Sequence, residues 1–230
     1  MLNNKRISVL IPAFNEEKSI AQVIKELPKD IVDEIVVVDN ASTDATQEIA
    51  LRNGAKVVEE PHRGYGAACL KGLESIDNAV IVVIIDGDHS DYPEQITRLL
   101  EPIASGNADF VIGSRVLGLR EDGALTPQQY WGNKFAVFLI HRLFGYGFTD
   151  MGPFRAIRFE SLKSLNMTDK DFGWNVEMQV KAVRQGLKIM EVPVDYRKRI
   201  GASKISGTVP GVIMAGLKII FTIFKYAVMN

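Results

Sequence analysis

The stretch AVIVVIIDGD, residues 79–88, decides the architecture. Its first seven residues are all apolar and mostly β-branched, with no polar residue alternating between them. Such a run reads as a strand buried on both faces, the kind found inside parallel sheets. It ends in Asp86-Gly87-Asp88, where the chain leaves the core. A carboxylate closing a buried strand is costly unless it faces a ligand, a metal or a donor. The end of this strand is therefore the first place to look for chemistry.

Working outward, the same pattern recurs. Residues 7–14 form a β-branched apolar run ended by Pro12, Asn15 and an acidic pair, residues 35–38 run into Asp39, and 56–59 and 110–112 are shorter strands. Between them, residues 17–27 place Ile20, Val23, Ile24 and Leu27 on one helical face before Pro28. Residues 45–53 read as a helix that Ser42 or Thr43 can cap and Gly54 stops. Residues 66–75 and 93–100 read as helices too. This alternation predicts an α/β fold, a mostly parallel sheet with helices on both faces, whose ligands lie outside the carboxyl ends of the strands. Those ends carry Glu16, Asp39, Asp86 and Asp88, so four acids converge on one edge.

Composition narrows the partners. A chain of 230 residues is expected to form one domain, and its net charge of -1 gives no field for gathering DNA or RNA. The single cysteine, Cys69, cannot close an internal disulfide and fits a reducing compartment. The apolar run after Met1 to Arg6 is too short for a signal segment, so a cytoplasmic protein is expected.

Asp86-Gly87-Asp88 has the chemistry of a divalent-metal site. Alternate residues of an extended segment bring two carboxylates towards one ion, and glycine lets phosphate approach. Hard oxygen ligands suit Mg²⁺ or Mn²⁺, with substrate phosphates completing the shell.

Several blocks, in order along nearly the whole chain, now carry a resemblance: IPAFNEE (11–17), VVDNASTDAT (37–46), RGYGAA (63–68), DGDHSDYPE (86–94), GSR (113–115) and VPVDYRKRIGASKISG (192–207). Together they resemble the family 2 glycosyltransferases, and within them the dolichyl- or polyprenyl-phosphate mannose or glucose synthases. The resemblance implies a GT-A fold over residues 1–206, with residues 1–115 binding a nucleotide sugar and 116–206 the acceptor. It implies inverting transfer of a hexose, from GDP-mannose or UDP-glucose, to a polyprenyl phosphate. By position, Pro12, Phe14 and Glu16 would line the nucleobase and ribose pocket and Asp39 would accept hydrogen bonds from the base or ribose. Gly64 and Gly66 would let backbone approach the ligand closely. Asp86 and Asp88 would hold the metal against the diphosphate. Arg63 is either a phosphate contact or a surface charge.

The departures matter equally. The related synthases carry Gln two residues after the second Asp, where Ser90 stands here, so the third metal position falls to Ser90, to Asp91 or to water. His89 reads as a polar neighbour. The Ser-Gly-Phe pattern that follows Thr-Asp in the family is Met151-Gly152-Pro153-Phe154 here, leaving Asp150 and Arg155 as acceptor-side candidates. A lipid phosphate needs no protein base, because it is already an anionic nucleophile. It needs positive charge, for which Arg115, Arg199 and Lys204, with Ser203 beside it, are the candidates. A saccharide acceptor would instead need a general base. Glu177 is the candidate for that, or else an anchor for its own helix. A related transferase acting on a saccharide, and a catalytically silent nucleotide-sugar-binding membrane partner, are the two alternative functions.

Two apolar segments bear on the membrane. Residues 131–144 read as a helix with aromatics. Residues 209–229, part of an apolar tail at 207–230, would make a helix of about 31 Å, long enough to span a bilayer. Lys218, Thr222 and Lys225 fall on one face of it, and each buried ammonium would cost about 2.5 to 3.5 kcal/mol. An amphipathic helix lying in the interface is therefore expected, with peripheral attachment to the inner face of the membrane. Packing on the chain's own domain or on a second subunit is the alternative.

Overall fold

The computed structural model describes residues 5–201 and 209–228. Among them, strands β1 (Ile7–Ala13), β2 (Glu34–Asp39), β3 (Lys56–Glu59), β4 (Ile81–Ile84), β5 (Phe110–Ser114), β6 (Arg155–Arg158) and β7 (Ile189–Pro193) form one sheet. The order is β3-β2-β1-β4-β6-β5-β7. Only β6 is antiparallel to its neighbours, β4 and β5; the other pairings are parallel. The helices are α1 (Ile20–Glu26), α2 (Thr46–Arg52), α3 (Tyr65–Ser75), α4 (Ile96–Ala104), α5 (Pro127–Phe144), α6 (Phe159–Ser164), α7 (Trp174–Arg184) and α8 (Val209–Val228). The expected mostly parallel, helix-flanked sheet is thus present.

Each face of the sheet has its own core. Leu10, Val36, Val38, Val82 and Ile84 point to the side covered by α3 and α7, whereas Val9, Ile11, Val37, Ile81 and Val83 point to the side of α1 and α4. Full burial of each such side chain contributes about 1.5–3 kcal/mol, so β1 and β4 are apolar on both faces except at Ser8, whose buried hydroxyl donates to Glu34 Oε2 at 2.8 Å. Gly72 on α3 sits where a Cβ would overlap Leu10 and Val38, which brings the helix close to the sheet.

Local signals were overridden at two loops. Helix α1 begins at Ile20 rather than at residue 17, because Asn15 takes φ +53° and residues 17–19 form a turn. Neither Ser42 nor Thr43 caps α2. The Ser42 hydroxyl accepts from the Asn15 amide at 2.9 Å, and the Thr43 amide donates to Asn15 Oδ1 at 2.8 Å. These side chains tie the loop after β1 to the loop after β2, and so fix the edge on which the acids stand. Helix α5 starts before residue 131, at Pro127, behind a capping box of Thr126 and Gln129.

Helix α8 packs on α5 and α7, burying Ile223 and Tyr226 in the larger core. Its polar face turns towards the domain. Lys218 Nζ lies 2.9 Å from Asp169 Oδ2, Thr222 is buried and Lys225 is exposed. Apolar Leu217, Phe221 and Phe224 are left outside, and Trp131, Phe135 and Phe138 of α5 are exposed as well. No helix among the described residues is long and apolar enough to cross a membrane.

Candidate active site

A cavity of about 400 Å³ opens at the carboxyl ends of β1, β2 and β4, walled by Pro12, Phe14, Glu16, Arg63, Asp86 and Asp88, with Arg199 and Met214 across from them. The structure brings together most of the residues expected for donor binding. The Arg63 guanidinium lies over the Phe14 ring, 3.1 Å from its centroid, so the two make a stacked flat wall. Asp39 stands at the end of β2, buried, with Oδ1 lacking a hydrogen-bond partner and Oδ2 accepting from the Ser42 amide at 3.3 Å. Beside it Asn40, which sequence reasoning missed, shapes the next loop. Its Nδ2 donates to the Glu60 and His62 carbonyls at 3.0 and 2.7 Å, and its Oδ1 accepts from the Gly64 amide at 2.8 Å.

Gly66 has a different role from the one expected. A Cβ there would overlap the Asp169 carbonyl, and the neighbouring Ala67 amide donates to Lys170 O at 2.9 Å. The missing side chain admits residues 169–170 rather than a ligand. Gly64, at φ +151°, lies against the same segment and also lines the cavity.

Asp86 and Asp88 differ in their surroundings. Asp86 Oδ1 is buried without a hydrogen-bond partner, and burial, reinforced by the Asp88 charge, pushes its carboxyl up to about 7. Asp88 Oδ1 accepts from the Ser90 amide at 2.9 Å and the Ser90 hydroxyl at 2.5 Å, while Oδ2 pairs with Arg199 Nη1 at 3.1 Å. Ser90 therefore orients Asp88 by donating to it, and its hydroxyl oxygen keeps its lone pairs. The donor set fits a hard divalent cation: one orphaned carboxylate oxygen, and a second carboxylate whose outer oxygen meets only a cation. Among the described residues no group of three acids, histidines or cysteines can hold a metal, so phosphate and water oxygens would fill the remaining positions. Asp91, the other substitute for the third ligand, is buried with both oxygens unpartnered. Burial and then the Asp86 charge push its carboxyl well up, against the opposing pull of Arg115.

The segment 196–201 forms a strap across this site. Arg197 N donates to Ser90 O and Ile200 N to Asp88 O, both at 2.9 Å. The strap is pinned behind by Glu26, whose carboxylate meets His89 Nε2 at 2.8 Å and Arg197 Nη2 at 2.6 Å. His89 adopts φ +64° there, and Arg197 lies 4.3 Å from the Tyr92 ring centroid. Nothing near Glu26 in the sequence signals this role. Arg199 then reaches forward to Asp88 and, through Nη2, to Glu16 Oε1 at 2.9 Å. Lys204 and Ser203 lie outside the described residues.

The four acceptor-side candidates among the described residues are engaged within the fold. Arg115 does not stand free for phosphate: Nε and Nη2 each bond Asp150 at 2.8 Å, in a bidentate fork. Burial alone would raise Asp150, but Arg115 more than offsets it and holds the carboxyl below its usual range. Asp150 is fully buried in that pair, with its carbonyl accepting from Gln179 at 3.0 Å. Arg155 is also fully buried, donating to the carbonyls of Asn175 at 3.1 Å and of Met151 and Gly152; burial pulls it down to about 10, which leaves it charged at neutral pH. It braces the 151–153 loop from inside. Glu177, the candidate base, is buried and fully engaged. It accepts from the Asp169 amide at 2.7 Å, Thr168 Oγ1 at 2.8 Å and Tyr226 OH at 2.6 Å, and pairs with Lys181 at 2.7 Å. The carboxylate anchors α7 to α8.

Comparison with known proteins agrees with this geometry. The model of Glycosyl transferase family 2 matches residues 8–165. Glycosyltransferase AglJ of Haloferax volcanii is 32% identical over 84% of this chain, which spans 63% of that relative's length. The undecaprenyl-phosphate mannosyltransferase of Micrococcus luteus is 32% identical over 90% of each chain. Among solved structures, glucosyl-3-phosphoglycerate synthase of Mycobacterium tuberculosis superposes with a TM-score of 0.80 at 23% identity, covering 99% of this chain and 81% of that one. That likeness establishes the GT-A fold. With the paired carboxylates at the end of β4 inside a nucleotide-sized cavity and the family match across most of the sheet, the chain belongs to glycosyl transferase family 2.

Proposed function

We propose that the chain moves a hexose, with inversion, from a nucleotide sugar to a polyprenyl phosphate while attached to the membrane surface. The observation that carries this is Met214. It lines the donor cavity from α8, the helix whose outward residues Leu217, Phe221 and Phe224 are exposed and apolar. A donor site that opens beside an apolar surface suits a lipid-borne acceptor. The M. luteus relative named for transfer to undecaprenyl phosphate supports the same choice. The solved neighbour, crystallised with Mn²⁺, UDP-glucose and phosphoglyceric acid, supports a divalent metal and a phosphate-bearing acceptor.

Phe14 and Arg63 would hold the base, and Asp39 Oδ1 would accept from a donor hydroxyl. Mg²⁺ or Mn²⁺ on Asp86 and Asp88 would offset the charge of the donor diphosphate. Arg199, drawn from Asp88, would turn to phosphate. A phosphate oxygen of the acceptor attacks the anomeric carbon from the face opposite the leaving group, and the nucleoside diphosphate departs with the bonding pair. No protein base is required, which accords with Glu177 being engaged in packing.

Attachment would be peripheral, on the cytoplasmic face, through the exposed faces of α5 and α8. Neither helix contains an acid, and Lys134, Arg142 and Lys225 lie among their apolar residues. The test is incubation with Mn²⁺ and a polyprenyl phosphate against labelled GDP-mannose and UDP-glucose. Label entering organic solvent from one donor supports the reading; label moving only to soluble phosphoglyceric acid overturns the lipid acceptor.

A further inference from the structure

The segment 168–173, which leads into α7, lies between the donor cavity and α8. On one side Asp171 and Phe172 line the cavity, together with Gly64 and Tyr65 at the entry to α3. The same segment carries that entry. Ala67 N donates to Lys170 O at 2.9 Å, and a Cβ on Gly64 or Gly66 would overlap the Lys170 or Asp169 carbonyl.

The other side of the segment is held by α8. Lys218 Nζ lies 2.9 Å from Asp169 Oδ2, and Thr222 comes so near that a Cβ on Gly173 would overlap its hydroxyl and the Asp169 carboxylate together. That carboxylate divides its two oxygens between the two sides. Oδ1 accepts from the Asp171 amide at 2.8 Å and the Gly173 amide at 3.2 Å, which shapes the turn that lines the cavity, while Oδ2 meets the lysine of α8. The Asp169 side chain is only 9% exposed, so its charge depends on these donors. Its own amide donates to Glu177 Oε2 at 2.7 Å, and Glu177 is tied in turn to Tyr226 of α8.

We infer that Asp169 is a positioning residue for the donor: it keeps the turn at 169–172, and through it the start of α3, in donor-binding form while α8 is docked. The carboxylate acts through Asp171 and Phe172, which line the cavity. Docking of α8 and binding of a nucleotide sugar therefore favour each other, and the coupling is reciprocal. The inference rests on reading the first cavity as the donor site and adds how that site is held in shape.

Two variants of the full chain test it. Lys218→Met removes the cation from α8, and Asp169→Asn keeps an acceptor for the two amides while losing the charge. With Mn²⁺, each should raise the KM for GDP-mannose or UDP-glucose, whichever is turned over, by roughly two- to fivefold at unchanged kcat, and Lys218→Arg should keep the wild-type value. Hydrogen exchange needs no donor. Without ligand, Lys218→Met should speed exchange at residues 168–173 and 64–68 as well as in α8, with the sheet unaltered. Adding donor and Mn²⁺ to the wild-type chain should slow exchange across residues 215–228. An unchanged donor KM overturns the inference and leaves the ion pair a packing contact, as does faster exchange confined to α8. Exchange that spreads to residues 64–68 in a chain that turns over neither donor supports the coupling and counts against the donor reading instead.

Discussion

Arg199 Nη1 lies 3.1 Å from Asp88 Oδ2, so the carboxylate expected to hold a metal is already paired with a cation of the chain itself. The same guanidinium reaches Glu16 with its other amino group. A metal held by Asp88 would compete with the arginine for one oxygen. Arg199→Ala should therefore tighten binding of Mn²⁺ alone, by roughly two- to fivefold given the modest worth of a part-exposed pair. It should also weaken binding of the nucleotide sugar with Mn²⁺ present. Manganese titration by electron paramagnetic resonance, with and without donor, reads both signs; weaker binding of Mn²⁺ alone would show that the arginine supports the metal rather than competing with it.

Asp88→Ala should abolish metal-dependent donor binding and leave the domain folded, because the carboxylate lies at a strand end outside the two cores. Calorimetric titration of the donor with Mn²⁺, beside a thermal melt, separates the two. Unchanged donor binding would remove Asp88 from the metal site.

The raised Asp86 carboxyl, near 7, sets a pH dependence. A metal binds the ionised form, so Mn²⁺ affinity should climb up to just above pH 7 and fall by about tenfold per unit below it. Stability without metal runs the other way. The folded state holds this proton more tightly than the unfolded chain does, so the group's contribution is greatest below the unfolded value near 4 and is lost as pH rises through 7. Urea melts at pH 5 and pH 8, with and without Mn²⁺, should show the metal narrowing that loss.

Glu177→Ala should destabilise the fold by roughly 3–5 kcal/mol, since Lys181 and the Thr168 and Asp169 amides lose their shared acceptor. Tyr226→Phe should cost about 1 kcal/mol by freeing α8 from the same carboxylate. Transfer measured per folded molecule should persist in Glu177→Gln. Its complete loss in a folded variant would restore Glu177 as a base and favour a saccharide acceptor.

Leu217→Asp with Phe221→Asp should leave the melting temperature within about 2 °C, because both side chains are exposed. Flotation with anionic phospholipid vesicles should fall steeply in the same variant. Unaltered flotation would move the membrane contact away from α8.

The first half of the chain was legible because its strands are buried on both faces and its loops end in acids: residues 79–88 alone pointed to the sheet, its polarity and its working edge. The second half was not. Strand β6 reads Arg-Ala-Ile-Arg, with a charged residue at each end, and nothing local announces a strand. It is held by ladders to β4 and β5, and Arg155 is accommodated there only because distant carbonyls receive its donors. Lys218 and Thr222 shared a helical face as the spacing required, yet which way that face turned depended on Asp169, about fifty residues earlier in the chain.

Periodicity, strand-end acids and ordered motifs by themselves determined the α/β architecture, the family resemblance and the candidates Asp86 and Asp88, since each depends on residues close together in the chain. Only the tertiary structure decided which charged groups remain available to a ligand. It joined Arg115 to Asp150, closed Glu177 into the helix contact and laid Arg199 across Asp88 and Glu16. A buried charge settles on whatever partner the fold carries to within about 3 Å, and sequence spacing does not encode that distance.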